Sequence, residues 1–330
     1  MKIKRIEFKV NAASGALGWG GEGYWYHKIF AFLFPSFKKV TERMNFVAKT
    51  TTWNENEGNL PLNEKYEPRE LFPKCIKVYP IQGMMLNAVS LSGPGFKALL
   101  SAGKFQNVRR DALGISFMPI GMTIGEMLWE TRSFRDKLIE AMYADTYHFH
   151  NFQSPIWVQV NQSCPNTIRS DGQILIYMKD ILEMLQPLRK THGILLDLKV
   201  NFLVSNEVIA EICKSDLCDI VTISNTIKFG NEDSGIRWKR LFWWRRSSPL
   251  AKLGGGGLSG KPLFDAVCNK IMSLRKDGIK IPIKASGGIF SAQDVRVVKA
   301  YGANAIEFAT VMSLRPWRVE AIVKEAERIF

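Results

Sequence analysis

The string V-Q-V-N-Q-S-C-P-N-T at 158–167 gathers several side chains able to do chemistry at one strand end. The apolar run Ile156, Trp157, Val158 and Val160 reads as a buried strand that stops where polar residues and a proline begin, which puts Asn161, Ser163, Cys164 and Asn166 at its carboxyl end. In parallel α/β proteins that end is where ligands and chemistry collect. Asn161 and Asn166 offer amide donors and acceptors suited to a planar, imide-like ligand, and Cys164 between them is a thiol able to take up a proton. A single cysteine is more often a small buried hydrophobe, and an asparagine-rich string is often an ordinary turn, so this string alone does not make a site.

N-Q-S-C-P-N resembles the active-site signature of the dihydroorotate dehydrogenases, and that family's other motifs follow along the chain in order. N-A-A-S-G at 11–15 resembles the N-A-S-G segment that lies along the flavin, which implies backbone contacts from Ala13, Ser14 and Gly15. K-T-T-T, followed by Gly58-Asn59, resembles K-[ST]-x-T with G-N, so the likeness assigns Lys49 and Thr50 to the flavin ring. M-L-N-A-V-S-L-S-G-P-G-F is similar to the segment whose asparagine binds the pyrimidine, which assigns Asn87 to the substrate. Here Ser90 stands where glycine is usual, and Ser92-Gly93 replaces a Pro-Asn-like pair.

The strand G-I-L-L-D-L-K-V-N carries Lys199, which resembles the family lysine that faces the N1 and O2 edge of the flavin and stabilises negative charge there. A lysine flanked by Leu and Val near a buried strand end calls for an anionic partner, either a ligand or a nearby acid such as Asp197. S-N-T at 224–226 resembles a further family strand end, implying that Asn225 is the fourth substrate asparagine and that Thr226 or Ser224 touches the flavin. G-G-L-S-G-K-P-L makes Gly256 and Gly257 points of close approach to the cofactor by the same likeness. Gly287-Gly288 and Ala309-Thr310 end two later strands, where backbone amides in such barrels hold a phosphate without needing a basic side chain.

Taken together, the resemblance implies a (β/α)8 barrel with insertions at about 53–83 and 229–257, occupying the whole chain as one domain. It implies FMN as cofactor and dihydroorotate as substrate. Hydride would pass from carbon 6 to the flavin while Cys164, the base of the soluble class 1 members, takes the proton from carbon 5 and orotate is released. Fumarate, a quinone or an NAD-linked iron-sulfur subunit all serve as acceptors across the family, and the sequence does not choose among them. Two neighbouring readings are reductases like dihydropyrimidine dehydrogenase or tRNA dihydrouridine synthase. A third is a flavin-binding barrel without catalysis, its altered 90–95 loop unable to close.

The bulk properties set bounds. At 330 residues the chain suits one barrel of about 250 residues plus insertions, and 46% hydrophobic content is that of a globular protein. Charge interrupts every apolar stretch well short of the ~20 residues a membrane span needs, and no signal peptide is apparent. Residues 3–12 already read as a strand, leaving no room for a membrane-targeting extension. The five cysteines are odd in number and irregularly spaced, which speaks for a reducing, cytoplasmic setting over a disulfide framework. His148 and His150 lack a third ligand nearby and read as helix-end polar residues.

A formal charge of +14 would attract anions generally. The most basic stretch, R-W-K-R-L-F-W-W-R-R at 237–246, interleaves tryptophans with arginines. It reads as a flap folded back on the barrel or a subunit contact in a homo-oligomer. Membrane-surface contact is the less favoured reading, and nucleic acid is not expected. A second aromatic stretch at 24–40 reads as the first barrel helix, interrupted near Pro35.

Overall fold

Eight short buried strands close into a parallel barrel in the computed structural model, which describes residues 2–3, 6–143, 152–162, 171–243, 245 and 247–330. In chain order around the ring they are Val10–Ala12, Asn45–Val47, Leu113–Phe117, Ile156–Gln162, Leu195–Val200, Ile220–Ile223, Ile283–Ser286 and Ala305–Phe308. Helices cover the outside, so both faces of each strand are shielded. That is why the strands read as near-continuous apolar runs. The expected (β/α)8 architecture is therefore the observed one.

Register decides what fills the barrel. Trp157, Gln159 and Asn161 of the fourth strand pair with Leu195, Asp197 and Lys199 of the fifth, so alternate residues stack in layers along the axis. The floor is apolar: Phe8, Val47, Ala112, Trp157, Leu195, Ile220 and Ala305 form one cluster, with Phe8 edge-on to Trp157 at 5.0 Å between ring centres. The layers above are polar, and the top one opens into a cavity.

Two sequence expectations change. The anticipated strand over 3–12 is instead a small antiparallel pair, Lys2–Ile3 with Ile6–Glu7, followed by a barrel strand that begins only at Val10. The intervening Phe8 is fully buried as the floor plug, so the apolar run serves two purposes. The insertion expected at about 53–83 contains the strand Ile76–Tyr79. It is the edge of a four-stranded antiparallel sheet that continues through Met84–Asn87 and Gly257–Gly260 to Ile227–Lys228. An edge strand with half its surface in water gives little apolar signal, which is why the pattern hid it.

The aromatic stretch at 24–40 forms the helices Trp25–Leu33 and Pro35–Thr41, with Pro35 opening the second. In the basic segment, Phe242 is buried against Phe229, Trp238 and Tyr79, and Trp238 Nε1 donates to the Asn231 carbonyl at 2.8 Å. The aromatics thus fold back onto the sheet. Trp244 and Arg246 lie outside the described residues.

Candidate active site

A cavity of about 900 Å³ opens at the carboxyl ends of the barrel strands and under the antiparallel sheet. Among the described residues it is lined by every position that the sequence assigned to cofactor or substrate: Asn87, Asn161 and Asn225; then Ala13, Ser14, Gly15, Lys49, Thr50, Lys199 and Thr226; then Gly256, Gly257, Gly287, Gly288, Ala309 and Thr310. Cys164 and Asn166 lie outside the described residues, as do His148 and His150.

The amides and hydroxyls at the cavity floor form one chain. Asn225 Nδ2 donates to Asn161 Oδ1 at 2.7 Å, and Asn161 Nδ2 donates to Thr50 Oγ1 at 2.8 Å. Thr50 Oγ1 is in turn 2.9 Å from both Ser14 Oγ and Ser116 Oγ. Five strand ends are locked by these contacts, so the two amides are held in fixed orientations and not left as free rotors. Ser116 escaped the sequence reading. Its inward position, two residues before the end of L-G-I-S-F-M, was the available signal.

The two lysines differ sharply. Lys49 donates to the Ser92 carbonyl and lies over the Trp19 ring, 4.5 Å from its centre, with no carboxylate partner among the described residues. Burial of its ammonium pushes its pKa down to about 7. Lys199, by contrast, is already paired: its Nζ is 2.5 Å from Glu307 Oε1. Of the anionic partners weighed for Lys199, a nearby acid is present, and it is Glu307, not Asp197. Asp197 Oδ2 sits 2.7 Å from Lys284 Nζ, which also reaches Glu307 Oε2 at 3.0 Å. Gln159 Nε2 donates to both carboxylates, at 2.8 and 3.0 Å, and Thr222 Oγ1 donates to Asp197 at 2.6 Å. Burial alone would raise the pKa of Glu307, but the ammoniums of Lys199 and Lys284 outweigh it and hold the carboxyl down to about 2. Charged residues inside apolar strands, I-K-A-S and A-I-E-F, were the sequence signal for this layer.

The glycines sort by cause. Gly256 and Gly257 were expected to admit a cofactor, yet the crowding comes from the chain itself. A Cβ on Gly257 would lie 2.4 Å from Thr226 Oγ1, and one on Gly256 would lie 2.9 Å from the Asn87 carbonyl. Gly288 is crowded by the start of the helix Phe264–Lys276, whereas Gly287 has room but adopts φ +119. The 287–288 turn and the 309–310 turn both line the cavity.

The family model described as dihydroorotate dehydrogenase matches residues 42–330. A dihydroorotate dehydrogenase (quinone) of Paraburkholderia xenovorans is 31% identical over 165 residues, 47% of this chain and 45% of that protein. A similar quinone-type protein of Burkholderia ambifaria is 31% identical over 184 residues, so the chain spans about half the length of these relatives. The catalytic subunit of dihydroorotate dehydrogenase B (NAD(+)) from Thermoanaerobacter pseudethanolicus is 23% identical over 313 residues, covering 94% of this chain and 86% of that protein. Among solved structures, DHODH from Eimeria tenella in complex with ferulenol superposes with a TM-score of 0.63 at 19% identity, covering 97% of this chain and 81% of that one, a likeness of fold. With the family model matched over most of the barrel, the chain belongs to the dihydroorotate dehydrogenase family.

Proposed function

We propose that the chain binds FMN and oxidises dihydroorotate to orotate, with Cys164 as the base. The observation that supports this most is the convergence of all the described cofactor and substrate positions on a single cavity of about 900 Å³, a size that suits a flavin with a small planar ligand. The residues present also fit the cofactor. The 287–288 and 309–310 turns offer backbone donors for its phosphate, and Lys49, with no carboxylate partner among the described residues, offers the ring a cation. FMN, when bound, would accept the hydride from carbon 6 of the substrate.

The chain's own residues do the rest. Asn87, Asn161, Asn166 and Asn225 hydrogen-bond the substrate's imide and carboxylate edges, and the locked chain through Thr50 orients two of them in advance. The Cys164 thiolate takes the carbon 5 proton, becoming a thiol, as carbon 6 gives up its hydride. A cationic or amide-rich neighbourhood would favour the ionised sulfur. The electron acceptor is open, since the relatives are named for quinone and for NAD(+). Placement in the cytoplasm rests on the irregular cysteine set, of which Cys75, Cys213, Cys218 and Cys268 are free thiols. The test is steady-state oxidation of dihydroorotate by the purified yellow protein with fumarate, a quinone and NAD(+) supplied in turn. A colourless protein that cannot be reconstituted with FMN would overturn the reading.

A further inference from the structure

Beneath the cavity, the buried layer of charge contains two ammoniums and two carboxylates and is neutral as a set: Lys199 and Lys284 against Glu307 and Asp197. Only Lys199 of the four lines the cavity. Lys284, Asp197 and Glu307 are fully buried, with Lys284 also flanked by the rings of Phe8 and Trp157. Glu307 is the hinge of the arrangement, one oxygen on Lys199 and the other on Lys284. A carboxylate at 2.5 Å cancels much of the field that Lys199 would otherwise send into the cavity, because buried charges interact through a low effective dielectric.

We infer that Glu307 is a positioning residue that holds the Lys199 ammonium at the barrel axis and, with Lys284 and Asp197 behind it, sets how much positive charge the cavity feels. This rests on the proposed flavin site and deepens it. The layer lowers the preference of the site for a ring that carries negative charge, and so makes the bound cofactor a stronger reductant toward its acceptor than a lone Lys199 would. The two buried members pull in opposite directions. Removing the charge of Glu307 leaves the set at one net positive. Removing the charge of Lys284 leaves it at one net negative, with Glu307 free to close fully on Lys199.

The sign of the effect is the test. Glu307→Gln should raise the midpoint potential of bound FMN, corresponding to binding of reduced over oxidised flavin improved on the order of tenfold. Lys284→Met should lower it, and the double variant, neutral again, should return toward wild type. A packing defect would move the single variants the same way and would not be repaired in the double. Shifts in one direction, or none with flavin bound, would overturn the inference. If Glu307→Gln does not fold, Lys284→Met and the double variant carry the same comparison.

Should no form bind FMN, the flavin reading fails by itself and the clamp is read on the apo chain. Competitive isotopic acetylation followed by mass analysis should then give more label on Lys199 in Glu307→Gln and less in Lys284→Met. Equal labelling in all forms would overturn the inference there too.

Discussion

Lys49 is where the chemistry of the site is most open to measurement. Its ammonium is buried among neutral groups, and burial depresses its pKa from 10.5 to about 7. The unfolded chain therefore binds a proton that the folded chain does not between those values, so this residue makes stability rise with pH from 7 to 10.5. Below pH 7 both states are protonated and the penalty is constant and full. Lys49→Met should accordingly stabilise the cofactor-free protein at neutral and lower pH and flatten the rise above it, measured as the difference between wild-type and variant melting curves. The side chain keeps some exposure to the cavity, so water moderates the size of the effect but not its sign. A variant that melts in parallel with wild type at every pH would show that the ammonium is solvated through the cavity. Cys164→Ala is the companion at the chemical step. It should abolish dihydroorotate turnover while FMN stays bound, since the thiol is assigned to proton removal only, and normal turnover would end that assignment.

At the scale of elements, the 88–92 loop carries a cost visible in its backbone. Ser90 and Leu91 both adopt positive φ, at 56 and 59, a region that disfavours side chains other than Gly, Asn and Asp. The loop is held there by its neighbours: Asn56 Nδ2 donates to the Ser90 carbonyl at 2.7 Å, Asn59 Nδ2 to the Ala88 carbonyl at 2.8 Å, and Leu60 N to Ser92 Oγ at 2.8 Å. Gly58 must be glycine, because a Cβ would meet Ser92 Oγ at 2.3 Å. Ser90→Gly should therefore raise stability by roughly 1 kcal/mol in denaturant unfolding, with relief of the left-handed backbone exceeding the entropy glycine adds to the unfolded chain. A loss of stability would mean that the Ser90 hydroxyl, 3.1 Å from Asn59 Nδ2, matters more than the strain. The sequence displayed this loop as a departure, Ser90 in place of glycine. What it withheld was the partner, since Asn56 and Asn59 are some thirty residues away in the chain.

The same division runs through the rest of the site. Strand ends were legible because buried β-branched runs stop abruptly at polar residues, and Ser205 and Ser291 are of a residue type that caps helices, as their side chains do here by accepting from Val208 N and Asp294 N. The charged layer was not legible in detail: Lys199, Glu307, Lys284 and Asp197 sit on three strands, and only barrel closure decides which acid meets which lysine.

For the molecule as a whole, the question is which surface it uses against others. The +14 charge and the 237–246 segment suggest polyanions at first sight, yet Phe242 is buried and Trp238 is packed on Phe229, leaving Trp243 as the largely exposed ring among the described residues of that segment, at 66%. Among the described residues, little apolar area is left there to enter a lipid layer. The helix Trp25–Leu33 presents the opposite case. Trp25, Ile29, Phe32 and Leu33 recur at helical spacing, Phe32 is 84% exposed, and Trp25 joins the stripe to exposed Phe72 through ring contact and to Leu71 through a 2.9 Å bond to its carbonyl. A contiguous apolar stripe of this kind is rarely left bare in water, and we propose it as the surface of self-association. Phe32→Ser with Leu33→Ser should therefore lower the molar mass found by light scattering, because it removes exposed apolar area while leaving the buried face at His27 and Phe37 intact. Arg240→Gln with Arg245→Gln should leave both that mass and the retention on anionic liposomes unchanged at physiological salt. Liposome binding by wild type that is lost in the arginine variant and kept in the Phe32 and Leu33 variant would reverse the assignment, making the basic segment the contact surface and the first helix a solvent-facing one.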